Sequence, residues 1–288
     1  MPRAVTGMTP SDTGILRSKL KSIVDCNRLH AFYDAPRFEA AVQRATAIDF
    51  AQIAAEWRIT KELAYDLAPL VLYDIVFYCD DSGSMSFEED GSRIQDLAFI
   101  LSKVSTVATR FDSDGVEVRF MNSTITGDGI TGEQGTSELL SRVRFGGMTP
   151  LGTNLDRKVI QPLVLGQANS RSMQKPVLVY AITDGEPSGE HRDTLPQVIC
   201  RAKESLERSA YGSGAFAIQV AQVGKDTGAH RYLAALDSHP VVGGMVDCTS
   251  YYEMEAEEFM RKGVELTPEL WLLKMCVGAI DPTYNEMD

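Results

Sequence analysis

Apolar positions repeat at helical spacing through the first quarter of the chain. One stripe, at steps of three and four residues, comprises Ile15, Leu16, Leu20, Ile23 and Val24. Asp34 before Pro36 is typical of a helix start, and Pro69 predicts the end of a last helix over 61–68. The pattern therefore predicts an N-terminal helical extension over residues 1–70.

After residue 70 the pattern changes to short apolar runs that are separated by amphipathic segments. Runs rich in β-branched and aromatic residues, typical of strands buried on both faces, lie at 72–79, 115–121, 176–183, 215–223 and 243–248. Helical periodicity lies at 93–111, 194–208, 229–237 and 268–276. We expect a loop or a short edge strand at 122–137 and an extended tail at 279–288.

This alternation predicts an α/β protein with a Rossmann-like, doubly wound and mostly parallel central sheet that is flanked by helices. Residues 71–255 would form the sheet domain, and 256–288 a C-terminal helix and tail packing on the same domain. Open parallel sheets bind ligands at the carboxyl ends of their strands, where the strand order reverses. Candidate chemistry is therefore expected at those ends.

Two carboxylates follow strands of the predicted sheet. Asp80 follows the run 72–79, and Asp184 follows the run 176–183. Side chains alternate in an extended segment, so Ser82 and Ser84 can point the same way as Asp80. Carboxylates and hydroxyls are hard oxygen donors, which favour Mg²⁺, Ca²⁺ or Mn²⁺.

Asp80-x-Ser82-x-Ser84 resembles the metal-ion-dependent adhesion site (MIDAS) signature of von Willebrand factor A domains. The loop Phe145–Gly152 resembles the family's threonine loop, with Thr149 at the ligand position, and Thr183-Asp184-Gly185 resembles its third element. The resemblance covers about residues 72–255, and the three elements stand in the family order.

The resemblance implies a metal site that binds protein ligands. It implies direct coordination by Ser82 and Ser84, contacts of Asp80 and Asp184 largely through water, and Thr149 in either mode. An Asp or Glu from a partner protein would complete the coordination. Mg²⁺ suits such a site best, with Ca²⁺ or Mn²⁺ as alternatives.

Two further segments indicate which branch of the family the chain resembles. Gln222-Val223-Gly224 and Met245-Val246-Asp247 are similar to the intracellular, copine-like members of the family. The five cysteines are odd in number and lack Cys-x-x-Cys spacing, which indicates reduced thiols. We therefore expect a cytoplasmic protein without a membrane span.

Charge excludes one class of partner. The formal net charge is -12, from 40 acidic and 28 basic residues, with no basic block. Nucleic-acid binding requires clustered positive charge, so we expect no nucleic-acid partner.

Some alternatives stay open at the level of sequence. Thr153 competes with Thr149, His191 could border the site, and the acidic run 88–90 could be a solvated loop or a second cation site. We expect no enzyme, because no catalytic constellation is visible. The alternatives are a regulatory or adaptor subunit of a separate chelatase-like or chaperone-like ATPase and, less favoured, a metal-dependent hydrolase.

Overall fold

The computed structural model of the chain describes residues 8–111 and 114–285. Its strands are β1 (Asp74–Cys79), β2 (Val116–Phe120), β3 (Thr126–Ile130), β4 (Val177–Thr183), β5 (Phe216–Gln222) and β6 (Val246–Thr249). Helices before the sheet are α1 (Pro10–Cys26), α2 (Ala35–Thr46), α3 (Phe50–Glu56) and α4 (Lys61–Ala64), with a 3₁₀ segment at Tyr65–Leu72.

Helices alternate with the strands through the rest of the chain. They are α5 (Ser84–Phe87), α6 (Ser92–Phe111), α7 (Gly132–Leu140), α8 (Leu151–Leu155), α9 (Gly166–Asn169), α10 (Thr194–Glu207), α11 (Thr227–Asp237), α12 (Tyr252–Arg261), α13 (Pro268–Val277) and α14 (Pro282–Asn285). A π-helical segment, Asp156–Leu165, joins α8 to α9.

The six strands form one sheet in the order β3-β2-β1-β4-β5-β6. All neighbours are parallel except the edge pair β2–β3. The fold class predicted from the sequence, Rossmann-like and mostly parallel, is therefore confirmed. The chain leaves β1 for β2 on one side and returns to β4 on the other, so the strand order reverses between β1 and β4.

Burial explains why the strands read as continuous apolar runs. Every residue of β4 and β5 is buried, because helices cover both faces of the sheet. The apolar core continues from the strands into the N-terminal helices, through Leu16 and Leu20, and into α13 through Trp271. Asp34 caps α2 as predicted, since its carboxylate accepts a hydrogen bond from the Arg37 N–H at 3.0 Å.

The C-terminal segment completes the core over β4 and β5. The buried Tyr180 hydroxyl donates to the Cys276 carbonyl at 2.6 Å, and the Ala279 N–H donates to Gln219 Oε1 at 3.0 Å. Both strand residues are almost fully buried, so the C-terminal segment supplies hydrogen-bond partners that water cannot.

Several predicted boundaries were wrong. The first strand begins at Asp74, and the helix predicted to end at Pro69 instead continues as 3₁₀ turns to Leu72. The residues from Leu67 to Leu72 are all buried, so packing maintains this segment although proline lacks an N–H. The last strand begins at Val246, because Gly243 and Gly244 lie in a 3₁₀ turn and glycine disfavours strands.

The segments without a firm prediction contain helices. The region 122–137 holds the antiparallel edge strand β3 and the start of α7. The predicted tail includes α14, so it is not fully extended, and its residues 286–288 lie outside the described part of the chain. None of the helices in residues 8–111 and 114–285 is long and apolar enough to cross a membrane.

Candidate functional site

Asp80 and Asp184 lie at the carboxyl ends of β1 and β4, on either side of the point where the strand order reverses. The Asp80 N–H donates to the Ile182 carbonyl at 2.8 Å, which extends the β1–β4 pairing beyond the strands. The Thr183 hydroxyl donates to Asp80 Oδ2 at 2.7 Å. Both carboxylates are 0% exposed, so the sheet topology brings together two buried acids that are far apart in sequence.

Ser82 and Ser84 connect these carboxylates. The two hydroxyl oxygens lie 3.0 Å apart, and the Ser84 hydroxyl donates to Asp184 Oδ1 at 3.0 Å. Asp80 Oδ1 accepts from the Ser82 N–H at 2.8 Å. The result is a row of oxygen atoms from Asp80 through both serines to Asp184, which we call the oxygen row.

Asp81 points away from the oxygen row, as strand alternation predicts. Its carboxylate accepts from the backbone N–H groups of Asn122 and Ser123 at 2.6 and 2.7 Å. Asp81 therefore holds the loop after β2 in place and is a useful contrast to its neighbour Asp80, since both are fully buried.

The loop that carries Thr149 is hydrogen-bonded directly to the segment after β1. The Gly83 N–H donates to the Gly147 carbonyl at 3.1 Å, and the Gly146 N–H donates to the Asp81 carbonyl at 2.7 Å. Gly147 has a φ of 101°, a conformation that favours glycine. These contacts join the threonine loop to the segment that carries Ser82 and Ser84.

The backbone of Thr149 is fixed on both sides. Its N–H donates to the Ser188 hydroxyl at 2.9 Å, and its carbonyl accepts from the Ser188 N–H at 2.9 Å. Thr149 is only 5% exposed. The loop after β4 therefore clamps the threonine loop against the site.

The competing sequence candidates have other contacts. Thr153 is exposed in the first turn of α8, where Glu190 accepts from the N–H groups of Gly152 and Thr153 at 2.7 and 2.8 Å. The His191 side chain is 78% exposed and lies 3.6 Å from Asp193. Thr153 is therefore exposed on α8, whereas Thr149 is buried.

Arg93 is a site residue that sequence reasoning missed. Its side chain is 4% exposed, and its Nη1 donates to Asp184 Oδ2 at 2.7 Å. A signal was present, because a basic residue in the first turn of a helix opposes the helix dipole and needs a compensating partner. Asp184 thus accepts hydrogen bonds from a neutral hydroxyl and from a buried cation.

The acidic run after α5 holds Arg93 from the other side. Arg93 Nη2 lies 2.7 Å from Glu88 Oε2 and 2.9 Å from Glu89 Oε1. Glu89 and Asp90 adopt left-handed φ values of 50° and 53°, which turn the chain sharply before α6. The acidic run is therefore in part an ion-pair partner of Arg93 rather than a purely solvated loop.

Burial and neighbouring charges shift the pKa values of Asp80 and Arg93. Burial, and then the negative charge of Asp184, raise the pKa of Asp80 from an ordinary 3.8 to about 6. Burial opposes the charge of Arg93, but its hydrogen bonds to Asp184 and Glu89 outweigh that effect and raise its pKa. The site is therefore acidic, with one fixed positive charge beside Asp184.

The donor set fits a small hard cation. All groups of the oxygen row are carboxylate or hydroxyl oxygens, the ligands that Mg²⁺ prefers. Neighbouring ligands of an octahedral Mg²⁺ ion lie about 3.0 Å apart, given its bond length of about 2.1 Å. The serine hydroxyls lie 3.0 Å apart, a spacing that matches two adjacent ligand positions.

Within the described ranges, no group of three or more His, Cys, Asp or Glu side chains is placed to hold a metal ion. Comparison with protein-family models gave no match, and comparison with curated proteins gave none either. The interpretation of the oxygen row therefore depends on its own geometry and on the sequence motif.

Proposed function

We propose that the chain is a von Willebrand factor A domain protein with a MIDAS formed by Asp80, Ser82, Ser84, Thr149 and Asp184. It would bind Mg²⁺, or alternatively Ca²⁺ or Mn²⁺, and use the metal to bind a carboxylate of a partner protein. The observation that carries this proposal is the oxygen row at the reversal point of the sheet. The likeness to copine-like members favours a cytoplasmic setting.

The composition of the site favours binding over catalysis. Neutral hydroxyls as inner ligands would leave the cation electrophilic, so that an anionic group from outside could bind to it. Asp80 and Asp184 are the two carboxylates of the oxygen row, and the Arg93 guanidinium beside Asp184 is itself paired with Glu88 and Glu89. A divalent cation in the row would offset the charges of Asp80 and Asp184, and its own charge would attract a carboxylate ligand.

Metal binding can be tested by thermal unfolding with and without Mg²⁺. A ligand at a hundred times its dissociation constant adds about 2.7 kcal/mol to the free energy of unfolding. We expect this gain in the wild-type protein and its loss in Asp80→Asn, which removes the charge at constant size.

Asp81→Asn is the matched control, because Asp81 is equally buried but holds the loop after β2. It should lower the stability of the protein and keep the Mg²⁺ gain. An equal Mg²⁺ response in wild type and Asp80→Asn would refute the proposed metal site.

A further inference from the structure

Two large apolar side chains are exposed beside the site. Phe87 is 84% exposed and Met148 is 63% exposed, although side chains of this kind are usually buried. Phe87 ends the short helix that begins at Ser84, and Met148 directly precedes Thr149. Each exposed side chain thus belongs to an element that carries a proposed metal ligand.

The ring of Phe87 lies over the junction between the two ligand-bearing loops. The Phe87 N–H donates to the Gly83 carbonyl at 3.2 Å, which places Phe87 one helical turn after Gly83. A Cβ atom added to Gly83 would meet the Phe87 ring at 3.3 Å and the Gly147 carbonyl oxygen at 3.6 Å. The ring therefore reaches the backbone contact that joins Gly83 to the threonine loop.

Met148 follows Gly147 directly and belongs to the same threonine loop. Its carbonyl accepts from Asn122 Nδ2 at 2.9 Å, which anchors the backbone. Its side chain crosses Gly189, where an added Cβ atom would meet the sulfur at 2.5 Å. Met148 therefore extends over the loop after β4 while staying exposed to solvent.

We propose that Phe87 and Met148 form an apolar rim that binds large apolar side chains on either side of the partner's acidic residue. This rests on the proposed function, since the metal would bind the carboxylate and the rim its neighbours. Most of the proposed ligands are almost fully buried, with Asp80 0%, Ser82 1% and Thr149 5% exposed, and Ser84 is partly exposed. The carboxylate must therefore reach past the rim, which brings the neighbouring side chains of the partner against it.

The partner chemistry follows from this arrangement. A positive centre selects an acidic residue, and exposed aromatic and thioether side chains select aliphatic or aromatic neighbours. The partner segment should therefore combine one acidic residue with adjacent large apolar residues. An acidic segment with polar neighbours would leave the rim in water.

The proposal can be tested with three blocked peptides and Mg²⁺-saturated protein, with affinity measured by isothermal titration calorimetry. The peptides are acetyl-Leu-Glu-Leu-amide, acetyl-Gly-Glu-Gly-amide and acetyl-Leu-Gln-Leu-amide. We expect the first to bind roughly tenfold more tightly than the second, because its leucines bury apolar surface on the rim. The glutamine peptide should not bind, and EDTA should abolish binding of the first.

Substitutions locate the effect. Phe87→Ser and Met148→Ser should each remove most of the advantage of the leucine-flanked peptide and leave the Mg²⁺ gain in stability unchanged. Met260→Ser is the matched control, since Met260 is 71% exposed on α12 and should have no effect. All three replaced side chains are exposed, so the variants should fold.

The outcomes separate the rim from the metal site. Three outcomes would overturn the rim proposal without affecting the proposed metal site. They are equal binding of the leucine- and glycine-flanked peptides, no peptide binding although Mg²⁺ binds, and an unchanged preference for the leucine-flanked peptide in Phe87→Ser. An Mg²⁺-dependent dimer that Phe87→Ser converts to monomer would also overturn the rim proposal, because a second copy of the chain would then occupy the rim. If Mg²⁺ did not stabilise the wild-type protein, or stabilised Asp80→Asn equally, the proposed function would be refuted instead.

Discussion

Arg93 brings a full positive charge into contact with a carboxylate of the proposed metal site. The guanidinium is almost completely buried and is shared between Asp184 and the acidic run before α6. A buried ion pair contributes little net stability, but removal of one partner leaves the other charge uncompensated. Arg93 should therefore stabilise the protein without metal and compete with a cation for Asp184.

Replacing Arg93 by Gln should separate these effects. We expect the free energy of unfolding without Mg²⁺ to fall by about 3–5 kcal/mol. The affinity for Mg²⁺ should rise by about tenfold or more, because the repulsion between Arg93 and the metal is lost. Chemical denaturation measures the first quantity, and calorimetric titration with Mg²⁺ measures the second.

A suitable control is Arg110→Gln, because Arg110 lies on the same helix and pairs with Glu56 at 2.7 Å far from the proposed ligands. It should change the stability slightly and the Mg²⁺ affinity not at all. Weaker Mg²⁺ binding in Arg93→Gln would contradict this account and show that Arg93 is needed to orient Asp184.

The residues of the oxygen row could be predicted because their positions follow from simple rules. Strand ends place Asp80 and Asp184 without any knowledge of distant contacts. The alternation expected for Ser82 and Ser84 was the wrong reason, because Gly83 is helical and Ser84 begins α5, so a turn rather than an extended segment brings the two hydroxyls together. Arg93 could not be assigned in the same way, since its ion pair with Asp184 joins positions that only the folded chain brings together.

At the scale of elements, helix α8 shows how the threonine loop is positioned. The Glu190 carboxylate accepts two N–H groups from the first turn of this helix, where negative charge is favourable. Glu190 thus joins the loop after β4 to the element that directly follows Thr149. Glu190 therefore fixes the helix start, in addition to the Ser188 contacts that hold Thr149 itself.

Glu190→Ala should lower the free energy of unfolding by about 1 kcal/mol, because two N–H groups lose their partner. It should also weaken Mg²⁺ binding, since Thr149 would be held less firmly. Thermal unfolding over a range of Mg²⁺ concentrations measures both effects.

Glu186→Ala serves for comparison, because Glu186 lies in the same loop and is 40% exposed, at 3.7 Å from Arg192. That variant should behave like the wild type. If Glu190→Ala were indistinguishable from Glu186→Ala, the cap would have no part in positioning the threonine loop.

Elements that are apolar throughout were predicted closely, and irregular ones were not. Strands β4 and β5 were predicted to within a residue at each end, because continuous β-branched runs have few other interpretations. The helical stretch from Leu151 to Asn169 was not predicted. It contains π-turns and Pro162, which depart from the periodicity on which a sequence prediction depends.

For the molecule as a whole, Asp80 couples stability to pH. The pKa of Asp80 is about 6 in the folded protein, against an ordinary value of 3.8. The folded protein therefore holds a proton that the unfolded chain releases between these values. Asp80 lowers the stability as the pH rises from about 4 to about 6, and this cost is constant at higher pH.

Mg²⁺ must compete with that proton, so its stabilising effect should be complete above about pH 7 and should decline below about pH 6. Melting temperatures with and without Mg²⁺ across this range would measure the decline. Asp80→Asn should show no Mg²⁺ effect at any pH. A constant Mg²⁺ effect between about pH 5 and about pH 8 would contradict the assignment of Asp80.

The packing of α13 on the sheet has a consequence for the order of events during synthesis. Tyr180 and Gln219 sit within the sheet, yet each bonds to a backbone group beyond Lys274. Both strands leave the ribosome before those groups are made. The hydrogen-bonding groups of Tyr180 and Gln219 therefore stay without these partners during synthesis until the segment that contains Cys276 and Ala279 has emerged.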